Sequence, residues 1–154
     1  MDPKIYSLIH ATDLLERYET VILPALNLDK IVLSDRYFYT SLARDKARGV
    51  DIDLDNIYTH LREPDLIFYC KAPIEDCIKR ASDRGELSYY AAGMDLNIDT
   101  DQQKNVEEYY KLMNKNYDEV FKNNKKCHII NTDRSIDSIT KDIIGIVEKH
   151  LNGD

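Results

Sequence analysis

Glycine is scarce in this chain, with five residues in 154, at positions 49, 85, 93, 145 and 153. None is followed by a lysine and then a serine or threonine, so the G-x-x-x-x-G-K-[ST] loop that cradles nucleotide phosphates does not occur within these residues. Tryptophan is absent. Cysteine is limited to Cys70, Cys77 and Cys127, whose spacing matches no metal-ligand pattern and whose odd number fits a reducing compartment. No apolar run approaches membrane-spanning length, and the N-terminus lacks the basic-then-apolar pattern of a secretory signal, so a cytoplasmic protein with no membrane partner is expected. Basic residues are outnumbered, 21 Lys and Arg against 28 Asp and Glu, and the charge of −7 argues against a nucleic-acid surface. A small anionic ligand is compatible with it. Such a pocket needs only a few convergent arginines, and Arg36, Arg44, Arg48, Arg80 and Arg84 are candidates.

What remains is an ordinary globular composition, 43% hydrophobic and 32% charged, long enough for one core and without a linker, repeat or low-complexity segment. A single domain over 1–154 is expected. Apolar residues recur at helical spacing from Lys4 to Leu26, with Pro24 near the end as a point of bending. Further helices are expected over Phe38 to Ala47, Leu54 to Arg62, from Pro73 onward, Val106 to Phe121 and Ile136 to Leu151. Short apolar runs at Ile31 to Ser34, Leu66 to Cys70 and Cys127 to Ile130 read as buried parallel strands. Gly85 to Asn97 has no clean period and suits a lid. Strands alternating with helices give an α/β layer fold with a parallel sheet and flanking helices.

The most informative stretch is Ile31-Val32-Leu33-Ser34-Asp35-Arg36-Tyr37, where an apolar run stops at an acid, a base and an aromatic. The carboxyl edge of a parallel sheet is where α/β folds bind ligands. An Asp there can hold Mg²⁺ or its water shell and an Arg can fork onto a phosphate, which suits phosphoryl transfer. A surface ion pair after a strand explains the same residues without function. Arg80 and Arg84 lie four apart on one helical face, so both can reach one anion, and a solvated basic helix end is the plain alternative.

Leu8-Ile9-His10-Ala11-Thr12-Asp13, Val21 to Leu26, Ser34-Asp35-Arg36-Tyr37, Thr40-Ser41-Leu42-Ala43, Pro64 to Tyr69 and Arg80 to Gly85 follow one another in an order and spacing that resembles the thymidylate kinase family. Tyr39-Thr40, Ala43-Arg44-Asp45 and Gly93-Met94-Asp95-Leu96 resemble one branch of it. The resemblance covers essentially the whole chain. It implies a P-loop kinase-like sheet in which the first strand, the phosphate loop and the first helix are missing, since Met1-Asp2-Pro3-Lys4 falls on an internal segment of the family. In the family that strand lies centrally, between those matching Ile31 to Ser34 and Leu66 to Cys70, so another chain, closure of the two strands, or instability is expected at the gap.

The resemblance further implies an ATP-dependent nucleoside monophosphate kinase of nucleotide biosynthesis, taking dTMP to dTDP with Mg²⁺ and ATP, and dimeric as the family commonly is. Arg36 would grip the acceptor phosphate, Asp35 would orient Mg²⁺ waters or that arginine, and Arg84 with Arg80 would serve the transferring phosphoryl from the lid at about 85–97. Tyr37, Ser41, Arg44, Asp45 and His10 fall on the acceptor side, and Asn131 and Thr132 near adenine. The family's base-facing aromatic and Arg are replaced by His10 and Leu14, and Leu14 cannot hydrogen-bond a base. Arg17, one turn on, is the candidate substitute by reach. Arg44 and Asp45 stand where the family often has Tyr and Gln. Without the phosphate loop, the polypeptide alone is expected to be inactive, and a non-catalytic nucleotide-binding or interaction protein is the alternative.

Overall fold

The computed structural model describes residues 1–52, 55–83, 85 and 89–153. The chain divides into two compact units, residues 1–63 with 112–122, and residues 64–111 with 123–154.

The first unit is helical. Helix α1 (Pro3–Arg17) opens on Asp2, whose carboxylate accepts from the Lys4 N–H at 2.7 Å, with Pro3 in the first turn where its missing N–H is harmless. A π-helical turn (Tyr18–Ile22) leads into α2 (Leu23–Leu26). Pro24 cannot donate to the carbonyl four residues back, and the ladder widens just before it. Helix α3 (Phe38–Ala47) follows Tyr37, and a short α4 (Asp55–Tyr58) comes next. The core gathers Ala11, Leu14, Tyr18, Ile22, Phe38, Tyr39, Ala43, Tyr58 and Leu61. Phe38 and Tyr58 stack at 5.7 Å, and Phe121 lies 5.1 Å from Tyr39. Two polar contacts fix the last turns of α6 (Gln102–Phe121) here: Asn116 Nδ2 donates to the Ala43 carbonyl at 3.0 Å, and the Tyr117 hydroxyl donates to Thr40 Oγ1 at 3.2 Å.

The expected strand from Ile31 to Ser34 does not form. Among the described residues no backbone hydrogen bond reaches Ile31, Val32 or Leu33, and Ile31 and Leu33 are 77% and 93% exposed. An apolar run becomes a strand only when another backbone satisfies its N–H and C=O groups, and none does so here. Helix Leu54 to Arg62 is also shorter than expected. Leu54 lies outside the described residues, and after Tyr58 the chain turns, with Thr59 Oγ1 donating to the Asn56 carbonyl at 2.8 Å in competition with the helix.

The second unit carries a parallel pair, β1 (Ile67–Lys71) and β2 (Cys127–Asn131), in register Ile67 with Cys127 through Lys71 with Asn131. Helix α5 (Ile74–Asp83) follows β1, with Glu75 and Asp76 in its first turn where the helix dipole favours acids. Helix α7 (Ile136–Asn152) follows β2, capped by the Ser135 hydroxyl, which accepts from the Ser138 N–H. A 3₁₀ turn (Met94–Leu96) precedes α6. Asn105, fully buried, organises it: its Oδ1 accepts from the Ile98 and Asp99 N–H groups at 2.7 and 3.2 Å, and its Nδ2 donates to the Gly93 carbonyl at 3.1 Å. Gly93 adopts φ 67°, and a Cβ there would fall inside the Tyr109 side chain, so both conformation and space require glycine.

Candidate functional site

In the first unit, the polar residues cluster where the chain enters α3 and along the face that α3 turns toward α1. Asp35 and Arg36 form a bend before the helix, both exposed, and neither side chain makes a hydrogen bond or ion pair among the described residues. The surface ion pair that would have explained them without function is therefore not formed. Arg36 has φ 66°, a left-handed conformation that costs a non-glycine residue about 1–3 kcal/mol. The Ser34 hydroxyl holds it there by donating to the Arg36 carbonyl at 2.7 Å. Tyr37 then starts α3 in an extended conformation, and its carbonyl accepts from the Thr40 N–H at 2.9 Å.

Tyr37 is used structurally. Its hydroxyl donates to the Arg62 carbonyl at 3.2 Å, while the Arg62 N–H donates to the Tyr18 hydroxyl at 3.2 Å, so two tyrosines clasp one peptide. Burial, with the Tyr18 and Tyr39 hydroxyls nearby, pushes its pKa up to about 12, and the phenol stays protonated at any ordinary pH. Arg17 is engaged too, in an exposed ion pair with Asp13 one turn back, the geometry of a solvated helix surface.

Ser41, Arg44 and Asp45 continue along α3. The Ser41 hydroxyl and the Arg44 guanidinium make no side-chain hydrogen bond among the described residues. Asp45 Oδ1 accepts from the buried Ser7 hydroxyl on α1, whereas Oδ2 is buried without a partner. Burial pushes the Asp45 carboxyl above its ordinary range, opposed by Ser7 and by the Arg48, His10 and Arg44 charges. His10 packs edge-on to Tyr6 at 4.4 Å, and burial and the Arg44 guanidinium lower its pKa, so the imidazole is neutral near pH 7. Arg48, buried, lies over the Tyr6 ring at 5.1 Å. Arg48 was among the candidate arginines of the sequence, whereas Ser7 was not singled out. Ser7 sits three before His10 on one helical face, a spacing that could have pointed to it.

In the second unit, Asn131 ends β2, Thr132 follows it, and Arg80 reaches this loop from α5. Arg80 Nη2 donates to the Thr132 carbonyl at 3.0 Å, and Thr132 donates to the Lys71 carbonyl from its N–H at 2.8 Å and its Oγ1 at 3.1 Å. Asn131 Oδ1 accepts from the Asp133 N–H at 3.2 Å, closing an Asx turn. Arg84 lies outside the described residues.

Among the described residues no three His, Cys, Asp or Glu side chains converge as metal ligands. Asp35 is a single exposed carboxylate, a donor set that fits Mg²⁺ delivered on a nucleotide and completed by phosphate oxygens and water. No described helix is long and apolar enough to cross a membrane.

A parallel strand pair with polar loops at its carboxyl edge in the second unit, and an acid and base opening a helix in the first, place the chain among mixed α/β proteins with a candidate anion site in the first unit. Comparison with known proteins specifies which. The family model described as Thymidylate kinase matches residues 1–143. The chain is 34% identical over 148 residues to the "Probable thymidylate kinase" of Pyrococcus abyssi, covering 96% of this chain and 66% of that protein. It is 30% identical to the "Probable thymidylate kinase 2" of Saccharolobus solfataricus, covering 96% and 70%, and 28% identical to the "Thymidylate kinase" of the bacterium Trichodesmium erythraeum, covering 94% and 61%. The chain belongs to the thymidylate kinase family, whose namesakes are enzymes, and it spans about two thirds of the length of the curated relatives it matches.

Proposed function

We propose that this chain forms the acceptor-binding part of an ATP-dependent nucleoside monophosphate kinase that converts dTMP to dTDP. The observation that carries the reading is Asp35 and Arg36 at the entrance to α3, both unengaged, with the arginine backbone held in a strained conformation. Strain and unsatisfied charge accumulate where function demands them. The acceptor phosphate is already anionic and needs no strong base, so catalysis is positioning and charge neutralisation. Arg36 would grip that phosphate, and Asp35 would orient it or the waters of Mg²⁺. Mg²⁺ held there would supply neutralisation of phosphoryl charge. Ser41, Arg44, Asp45 and His10 would face the base, with Arg17 at the rim, and Tyr37 would serve by fixing the backbone behind Arg36. In the second unit Arg80, with Arg84 from the lid, would serve the transferring phosphoryl, and Asn131 and Thr132 the adenine. Exposed Ile5, Leu8, Ile9 and Val21 support a homodimer through α1 and the turn after it.

A non-catalytic nucleotide-binding protein that uses the same acceptor residues is the second reading. Titration calorimetry tests what the two share: dTMP should bind, and Arg36→Ala should weaken it by about tenfold or more, as expected for a charge-assisted contact worth roughly 1.5–3 kcal/mol. Equal affinity of the variant and the parent would remove Arg36 from the site. The coding DNA upstream of Met1 then separates the readings. An in-frame glycine-rich loop favours the kinase, and stop codons favour the binding protein.

A further inference from the structure

The parallel pair of the second unit is bonded on one side only. The Ile67 N–H donates to the Lys126 carbonyl at 2.9 Å and the Thr132 N–H to the Lys71 carbonyl at 2.8 Å, so in the register of the pair Ile67, Tyr69 and Lys71 turn their backbone groups toward β2. The N–H and C=O groups of Leu66, Phe68 and Cys70 then point the other way, and among the described residues no hydrogen bond from outside the pair reaches them. The outer edge of β2 is partly taken: the Cys127 N–H donates to the Asn124 carbonyl at 3.1 Å, and the Asn131 carbonyl accepts from Arg134 Nε at 3.0 Å. An open edge is a template for another backbone, and a sheet of two strands gains from one.

What fits the edge can be read from its own residues. Pro64 and Pro73 lack an N–H and bound the stretch that can pair. Between them lies Asp65-Leu66-Ile67-Phe68-Tyr69-Cys70-Lys71-Ala72, acidic at one end and basic at the other. Laid antiparallel on itself about a two-fold axis at Phe68, this stretch sets Phe68 against Phe68, Leu66 against Cys70 and Asp65 against Lys71. Every outward-facing backbone then meets an outward-facing backbone, as an antiparallel ladder requires, and each end carries an acid opposite a base. Moving the axis by one residue either way parts Asp65 from Lys71. Cys70 is exposed, which leaves room beside the strand for a second one.

We propose that the free edge of β1 is a self-association site, at which a second copy of this chain pairs antiparallel across a two-fold axis at Phe68, with Asp65 of each copy against Lys71 of the other. The contact is isologous, so it closes on a pair and leaves no further edge of β1. Its strength comes from main-chain bonds between the two copies, and charge fixes the register. The site lies wholly in the second unit and is independent of the acceptor reading and of the contact proposed for α1.

Disulfide trapping tests it. Leu66 and Cys70 of opposite copies stand about 5.5 Å apart at Cα in such a ladder, within reach of a disulfide, whereas within one copy they lie four residues apart along an extended stretch and cannot meet. Leu66→Cys, with oxidised glutathione to take up the electrons and protons of the thiols, should therefore give a covalent dimer, and Leu66→Cys with Cys70→Ser should not. Sedimentation equilibrium adds a charge arm: Asp65→Lys should weaken association about tenfold, and Asp65→Lys with Lys71→Asp should restore it, a rescue that a merely structural role for either residue would not produce. The charge arm carries the test if Leu66→Cys fails to fold. No trapped dimer from folded Leu66→Cys protein, trapping that survives Cys70→Ser, or association indifferent to the charge reversal each overturns the proposal. A chain that sediments as a monomer overturns it too, and leaves the edge to the strand that the family carries there.

Discussion

The two units treat their polar side chains in opposite ways. In the second, polar groups are spent on one another: Arg80 ties the loop after β2, Thr132 bonds twice to Lys71, and Asn105 satisfies four partners including the Met94 sulfur. In the first, Asp35, Arg36, Ser41 and Arg44 are left without side-chain partners, and Asp45 keeps an unpaired oxygen. Satisfied networks rigidify a fold, whereas unsatisfied ones leave interaction energy for something else. The difference predicts that polar substitutions in the second unit cost stability and those at the entrance to α3 cost binding.

The largest expected effect is at Asn105. Asn105→Ala strands the Ile98 and Asp99 N–H groups and a buried Gly93 carbonyl contact, and should cost about 3 kcal/mol of stability, read as a lower urea midpoint. Its folded fraction should still bind dTMP with parental affinity, because every group assigned to the base lies in the first unit. Loss of dTMP affinity in proportion to stability would erase the contrast between the units.

How much of this could be read from sequence follows the same line. Helix α3 and its polar entrance were legible, since Asp35, Arg36 and Tyr37 interrupt an apolar run and Phe38 onward repeats at helical spacing. Strands β1 and β2 were legible to within a residue. Ile31 to Ser34 carries the same apolar signal and forms no ladder, because side-chain pattern reports a wish to be buried and says nothing of whether a backbone partner exists. Asn105 was silent for a related reason. A lone Asn in a helical pattern resembles any surface amide until the loop that wraps it is seen. Around α3, residue types pointed to Asp35 and Arg36 and the family resemblance to Asp45, but only geometry separated the engaged Tyr37 and Arg17 from the unengaged Ser41 and Arg44.

A smaller effect, opposite in sign, is expected at Arg36. Glycine accepts φ 66° without strain, so Arg36→Gly removes about 1–3 kcal/mol of backbone cost while adding about 0.5–1 kcal/mol of chain entropy. The variant should be more stable by about 1 kcal/mol and should lose dTMP binding. A destabilised variant would mean that the arginine side chain holds the fold, and Arg36 would then belong with Arg80 rather than against it.

The smallest effect is a pH slope from Asp45. Burial raises the folded carboxyl above its ordinary value of 3.8, so between those two values the folded state holds a proton that the unfolded state has released. Stability from this group is therefore fully present below pH 3.8 and is lost as pH rises through the folded pKa. His10 acts the other way: its folded pKa lies below the ordinary 6.5, so its contribution is weakest in acid and returns as pH rises toward that value. Asp45→Asn removes the first slope and keeps the second. Urea midpoints measured from about pH 3.5 to about pH 8 should show the variant gaining on the parent as pH rises, with the gap nearly closed at the acid end. A gap that is constant across the range would mean that Asp45 titrates alike in both states, and the unpaired oxygen would then carry no cost.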